Sequence, residues 1–221
     1  MKSPIEGNSF LHVTWRVAIL LTVVLAISFT TGCAKKKRKG GAATDGLAGG
    51  VLIFTDDFER QAVGDQYTTR SKRWSIVDGW LHIQGDKNEG FWLNVPLPDR
   101  TRVEFDARSM TDDGDIKCEI FSAEQRHQTG YIAILGGWHN ALSVLARKDE
   151  HGEDRMECDA KVTRGQTHHF VFVRTEGSLR WYVDGRLILA FADEDPLRGS
   201  FFGFNNWLTD IYFDNLTVYR L

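Results

Sequence analysis

The chain has 221 residues, and 42% of them are hydrophobic. Its net charge is −3, but from residue 51 onward 20 Lys and Arg face 28 Asp and Glu, a surplus of eight negative charges. A domain that acidic is a poor match for phosphate backbones, which excludes nucleic acid as a partner, and 14 Phe and 21 Gly against four Pro favour strands joined by tight turns.

Residues 17–29 are an apolar run of 13, preceded by Lys2 and Arg16. A bilayer core of about 30 Å needs about 20 apolar residues in a helix, so the run suits the apolar core of a signal peptide better than a span. It ends in Thr30-Thr31-Gly32-Cys33, small residues followed by a cysteine, the pattern of a bacterial lipoprotein cleavage and lipidation site. The expectation is a signal peptide over residues 1–32, with Cys33 lipidated and the protein held at a membrane of the bacterial cell envelope, on its periplasmic or surface face. An uncleaved anchor is the alternative. Thr30 stands where such signals usually carry Leu, and the basic run Lys35-Lys36-Lys37-Arg38-Lys39 favours a cytoplasmic flank. Residues 33–50 then read as the lipidated cysteine and a flexible basic tether, too poor in apolar residues to offset ordering entropy. Its cations suit either anionic headgroups or plain solvent.

From residue 51 to 221 the pattern is strand after strand. Asp78-Gly79, between residues 74–77 and 80–83, marks a hairpin with a type I′ turn. Residues 102–108 alternate with Val103, Phe105 and Ala107 inward, and residues 131–135 are apolar on both faces, as in a central strand. Residues 116–121, 141–147, 155–162, 169–174, 179–183, 187–191 and 201–204 follow suit. In the last strand Ile211 and Phe213 lie on one parity and Leu216 and Val218 on the other, so a one-residue bulge near Asp214-Asn215 is expected. About thirteen strands without an amphipathic helix imply an all-β, two-sheet antiparallel sandwich. Cys118 and Cys158 both point with the apolar residues, which suits a disulfide or two buried thiols equally.

Asp56-Asp57-Phe58-Glu59, Trp74-Ser-Ile-Val-Asp-Gly-Trp-Leu81, Tyr182-Val-Asp-Gly-Arg186 and Phe213-Asp-Asn-Leu-Thr-Val-Tyr219 follow one another in an order that resembles the concanavalin A-like lectin/glucanase superfamily. The nearest resemblance is to the laminin-G-like and 3-keto-disaccharide hydrolase-type domains of exported bacterial proteins. It implies a jelly-roll sandwich with a concave, glycan-binding face. It also implies a structural calcium site where the first and last strands meet, with Asp57 and Asp214 as ligands; no other cofactor is expected.

A sugar site needs an exposed aromatic plate beside amides or acids. Two segments supply this: Gly136-Gly137-Trp138-His139-Asn140 and Gly203-Phe204-Asn205-Asn206-Trp207. The substrate-binding candidates are therefore Trp138, His139, Asn140, Asn205, Asn206 and Trp207. The competing reading makes the tryptophans plugs at the sandwich ends and the asparagines turn formers. Glucanases of this fold carry Glu, Asp and Glu on one strand, and Glu119 and Glu124 have the spacing of a bulged version. Phe121 replaces the middle Asp, and Glu119 alternates like a solvent-facing residue, so this catalytic pair is the weaker candidate. His168 and His169 point oppositely on a strand, and His127, His139 and His151 read as surface residues. Asp112-Asp113-Gly114-Asp115 reads as a turn. Together these readings favour a membrane-anchored extracytoplasmic module binding carbohydrate or cell-wall glycan, with a glycoside hydrolase or an assembly lipoprotein with a protein partner as alternatives.

Overall fold

The computed structural model describes residues 46–221. The predicted signal, Cys33 and the basic run lie outside the described residues. Among the described residues no helix is long and apolar enough to cross a membrane.

Among the described residues fifteen strands form two antiparallel sheets. In chain order they are β1 (Val51–Asp56), β2 (Tyr67–Thr69), β3 (Ser75–Val77), β4 (Trp80–Gln84), β5 (Phe91–Leu93), β6 (Thr101–Ser109), β7 (Ile116–Ser122), β8 (Tyr131–Gly136), β9 (Leu142–Arg147), β10 (Met156–Cys158), β11 (His168–Thr175), β12 (Ser178–Val183), β13 (Arg186–Ala192), β14 (Phe201–Asn205) and β15 (Asp210–Arg220). A single turn, α1 (Gly137–Asn140), separates β8 from β9. The eight-stranded sheet runs β13-β12-β11-β6-β15-β4-β3, with β1 also paired to β15; the seven-stranded sheet runs β10-β9-β8-β7-β14-β5-β2. This is the two-sheet antiparallel sandwich expected from the alternation, with the jelly roll that the resemblance implies. The predicted strand over residues 155–162 shrinks to β10, because residues 159–162 leave the ladder to meet the turn after β8.

Period-2 patterning decides which faces meet. Val103, Phe105 and Ala107 of β6 and Ile116, Cys118 and Ile120 of β7 all turn into one core. There the rings of Phe105 and Phe170 stack with centroids 4.8 Å apart, and those of Phe204 and Phe213 at 4.2 Å. The bulge in β15 falls where expected. Asn215 has φ 54° and the β6 register slips between Asp214 and Thr217, so Ile211, Phe213, Leu216 and Val218 are all fully buried. A second bulge lies at Phe121, with φ 57°, and turns that ring into the core. Asp78 and Gly79 both have positive φ, as a type I′ turn requires. Cys118 and Cys158 are buried thiols, and burial pushes the Cys118 thiol up from its ordinary range.

The folded part starts before β1. Arg102 Nη1 donates to the carbonyls of Gly46 (3.1 Å) and Gly49 (2.8 Å), and Leu47 packs on Val171, Val173 and Tyr182 on the outer face of the eight-stranded sheet. Residues 46–50, expected to belong to a loose tether, are thus docked on the sheet, because one guanidinium satisfies two of their carbonyls.

Candidate functional site

A groove of about 510 Å³ opens on the outer face of the seven-stranded sheet. Two turns border it. One is α1, lying between two hydrogen-bonded strands. Gly136 takes the left-handed conformation readily, but Trp138 (φ 51°), His139 (φ 58°) and Asn140 (φ 59°) follow it there, so the turn is left-handed. Such a backbone costs roughly 1–2 kcal/mol per non-glycine residue. The surroundings hold it in place. Asn140 donates its amide to Val162 O at 2.7 Å and accepts from Val162 N at 2.9 Å. Ala141 N donates to Gly137 O, and Asp115 N to Gly136 O. The second turn carries Trp207. Asn206 closes it by donating to Thr209 O at 3.0 Å and accepting from Asp86 N at 3.2 Å, and residues 86–88 pair alongside.

Trp138 and Trp207 therefore line one groove. Trp207 is 45% exposed, with Lys87 Nζ 5.7 Å from its ring; Trp138 meets the His151 ring edge-on at 5.5 Å. His139 also lines the groove, its Nδ1 2.9 Å from Asp113 Oδ1. The three asparagines act otherwise. Asn140 and Asn206 spend their amides on the turns just described. Asn205, fully buried, donates to Glu119 Oε1 at 2.7 Å and accepts from Asn206 N. They shape the groove's walls and are not among its lining residues.

Between the tryptophans lies a charged floor that the alternation pattern did not reveal. Lys117, 1% exposed, donates to Asn88 Oδ1 and Glu150 Oε1, both at 3.1 Å. Glu119, expected to face solvent, is 0% exposed. It does lie on the outer side of β7, but His127, Gln128 N and Asn205 cover it and satisfy its carboxylate. His127, expected on the surface, is accordingly part-buried, with Nδ1 2.6 Å from Glu119 Oε1. Glu124 stands past the end of β7 in an exposed turn, paired with Arg126 at 3.2 Å. The bulge at Phe121 exists, yet Glu119 and Glu124 do not converge: one is sealed in the sheet face, the other is in solvent.

Asp115, read from the sequence as a turn residue, lines the groove. Its Oδ1 is buried without a hydrogen-bond partner, and so is Glu150 Oε2. Burial, opposed by Lys117 and reinforced by Glu150 and Asp113, raises the Asp115 pKa to about 6. Backbone strain gathers here too. Of the thirteen non-glycine residues with positive φ among the described residues, six line this groove: Asn88, Asp115, Gln128, Trp138, His139 and Leu208. Strain of this kind clusters at functional sites, which makes the groove the candidate.

The calcium candidates lie elsewhere. Asp57 Oδ1 accepts from Glu59 N, and Asp214 Oδ1 from Asn215 N. Burial, with Asp106, Glu59 and Asp57 nearby, raises the Asp214 pKa to about 6. Among the described residues no group of three or more His, Cys, Asp or Glu is placed to hold a metal ion. The motif at Asp56 is structural: its carboxylate accepts from Phe58 N, Arg60 and Tyr67.

No family model and no curated protein matches the chain. Solved structures do. The carbohydrate binding module CBM66 from Bacillus subtilis superposes with a TM-score of 0.58 at 16% identity, over 72% of this chain and 96% of that one. An endo-β-1,3-glucanase from Pyrococcus furiosus gives 0.59 at 16% identity, over 76% and 94%. The catalytic domain of a laminarinase from Thermotoga petrophila gives 0.59 at 13% identity, over 78% and 98%. The domain therefore has the concanavalin A-like jelly-roll fold, shared by binding modules and glucanases.

Proposed function

We propose that the domain is a glycan-binding module, tethered to the bacterial cell envelope on its extracytoplasmic side through lipidated Cys33. One observation carries the binding reading: two tryptophans, on two separately braced turns, flank a single groove of about 510 Å³ whose floor is polar. Sugars present apolar C–H faces and hydroxyl edges, and this arrangement offers a surface for each. The sandwich-plug alternative would leave the Trp207 ring covered, whereas it is 45% exposed. The fold is compatible with hydrolysis, but Glu119 has its carboxylate taken up by three donors and Glu124 is exposed and outside the groove lining, so binding is the reading the geometry favours.

The test is affinity electrophoresis against immobilised glycans, with release of reducing ends assayed in parallel. Retention should fall at least tenfold in both Trp138→Ala and Trp207→Ala, without product from the wild type. Retention unchanged in both variants would refute this site. Product that disappears in Glu119→Gln would transfer the reading to the hydrolase. The anchor is tested separately: wild type should take up labelled palmitate and Cys33→Ser should not.

A further inference from the structure

The floor of the groove narrows the class of glycan, on the assumption that the groove binds one. Most of its charged atoms are already matched. Glu119 has three donors, and Asp113 has the His139 ring at 2.9 Å. Lys117 gives its protons to Glu150 Oε1 and Asn88. Two acceptors are left over, Asp115 Oδ1 and Glu150 Oε2, both in residues that line the cavity. Glu150 is only 7% exposed, and the His127 Nε2 that faces its Oε2 stands 3.6 Å away, beyond hydrogen-bond reach. An ionised carboxylate only accepts hydrogen bonds, and leaving it buried and unmatched is costly. Lys117 is paired with Glu150 and also faces Asp115, so two carboxylates share one ammonium, and a second positively charged donor would complete the set.

We infer that the groove selects glycans bearing a free amine, that is, polymers of de-N-acetylated hexosamine, with Asp115 and Glu150 receiving the ammonium while Trp138 and Trp207 hold the sugar faces. An ammonium brings three donors and one positive charge to a floor whose one lysine is already engaged. A neutral sugar hydroxyl brings one donor and no charge. The raised pKa of Asp115, caused first by burial and then by Glu150 and Asp113, is the response of a carboxylate that lacks such a partner. The excess of acid over base across the domain adds attraction at long range.

The experiment measures affinity of the full chain, purified in mild detergent, for three probes: a glucosamine oligomer, its N-acetylated counterpart and a neutral β-1,3-glucan oligosaccharide. The amine form should bind at least tenfold more tightly than the acetylated form. Asp115→Asn, which suits the left-handed backbone at φ 55°, should bring that ratio to near one while circular dichroism stays unchanged. Equal binding of amine and acetylated forms by the wild type would overturn the inference and leave the binding module standing. Amine binding that survives Trp138→Ala and Trp207→Ala together would reduce it to polycation attraction and overturn it as well. A wild type that binds none of the three would overturn the inference, and retention on the other immobilised glycans would then decide the binding module.

Discussion

On the outer face of the eight-stranded sheet, Glu104 and Asp106 of β6 share the imidazole of His169, 3.7 and 2.7 Å from its two nitrogens, while Arg102 caps Glu104 and Asn215 donates to Asp106. Both carboxyls are drawn below their usual range, His169 being the leading cause, and the two acids raise His169 itself to about 10. On the outer face of the seven-stranded sheet a similar mixture of acids, histidines and a lysine leaves Asp115 Oδ1 and Glu150 Oε2 unmatched, with Asp115 raised to about 6. On the first face the His169 cluster is matched charge for charge, although Asp214 opposite Asp106 is itself raised to about 6, and that face carries the docked residues 46–50. The other holds acceptors in reserve beside a cavity. What separates the two faces is the cavity beside Asp115 and Glu150, because both faces are rich in charges.

The largest effect should come from removing the buried cation of the unfinished face. Lys117→Ala leaves Glu150 and Asn88 without their donor inside a nearly sealed floor. Breaking one side of a buried ion pair costs about 3–5 kcal/mol. In a domain of this size each kcal/mol lowers Tm by about 2–4 °C. Calorimetry should therefore show a large fall. If Tm hardly moves, water already satisfies Glu150 and the floor is not the closed environment described.

The second effect has the opposite sign. An acid whose folded pKa is raised from 3.8 to about 6 binds its proton more tightly when folded. Asp115 therefore costs nothing below pH 4; it destabilises increasingly as pH rises from 4 to 6, and by a constant amount above that. Two pKa units correspond to at most about 3 kcal/mol. Asp115→Asn should then raise stability at pH 7 and leave it unchanged at pH 4, in urea titrations at both values. Lys117, Glu150, Asp113, His127, His139 and His151 face it in the groove, so the gain is the net of losing its repulsion from Glu150 and Asp113 and its attraction to Lys117. A gain independent of pH would mean that the ionised carboxylate is not what strains this face. A stabilised variant that has lost its ligand would be the mark of a residue kept for binding.

Fold and site were unequally legible in the sequence. The period-2 alternation, the Asp78-Gly79 turn and the phase change around Asp214-Asn215 are local signals, and each appears in the structure where the pattern put it. Trp138 and Trp207 were recognisable as aromatic residues next to glycine and asparagine. That they share a groove depends on β14 lying beside β7 and on residues 86–88 pairing with the Trp207 turn, which are contacts between segments far apart in the chain. The floor was hidden for a different reason. Lys117 and Glu119 alternate against Ile116, Cys118 and Ile120 as any solvent-facing pair would, and alternation reports which side a residue takes but not what covers that side. Here His127, Glu150 and Asn205 do the covering. The asparagines have the planar amides that sugar sites use, yet the same amides close turns, and residue type alone does not separate the two uses.

The smallest effect belongs to the matched cluster on the eight-stranded sheet, and its sign is set by His169. A histidine whose folded pKa is raised from 6.5 to about 10 gives stability that is fully present below pH 6.5 and fades as pH rises toward 10. The ring is 47% exposed, so solvent screening cuts the contribution to the order of 1 kcal/mol. His169→Gln should therefore destabilise the domain slightly at pH 6, and the difference from wild type should close by pH 10. The same substitution should leave glycan retention untouched, since His169 lies on the sheet opposite the groove. If retention fell with it, the division of labour between the two faces would be wrong, and the completed charge cluster would have to be treated as part of the binding apparatus.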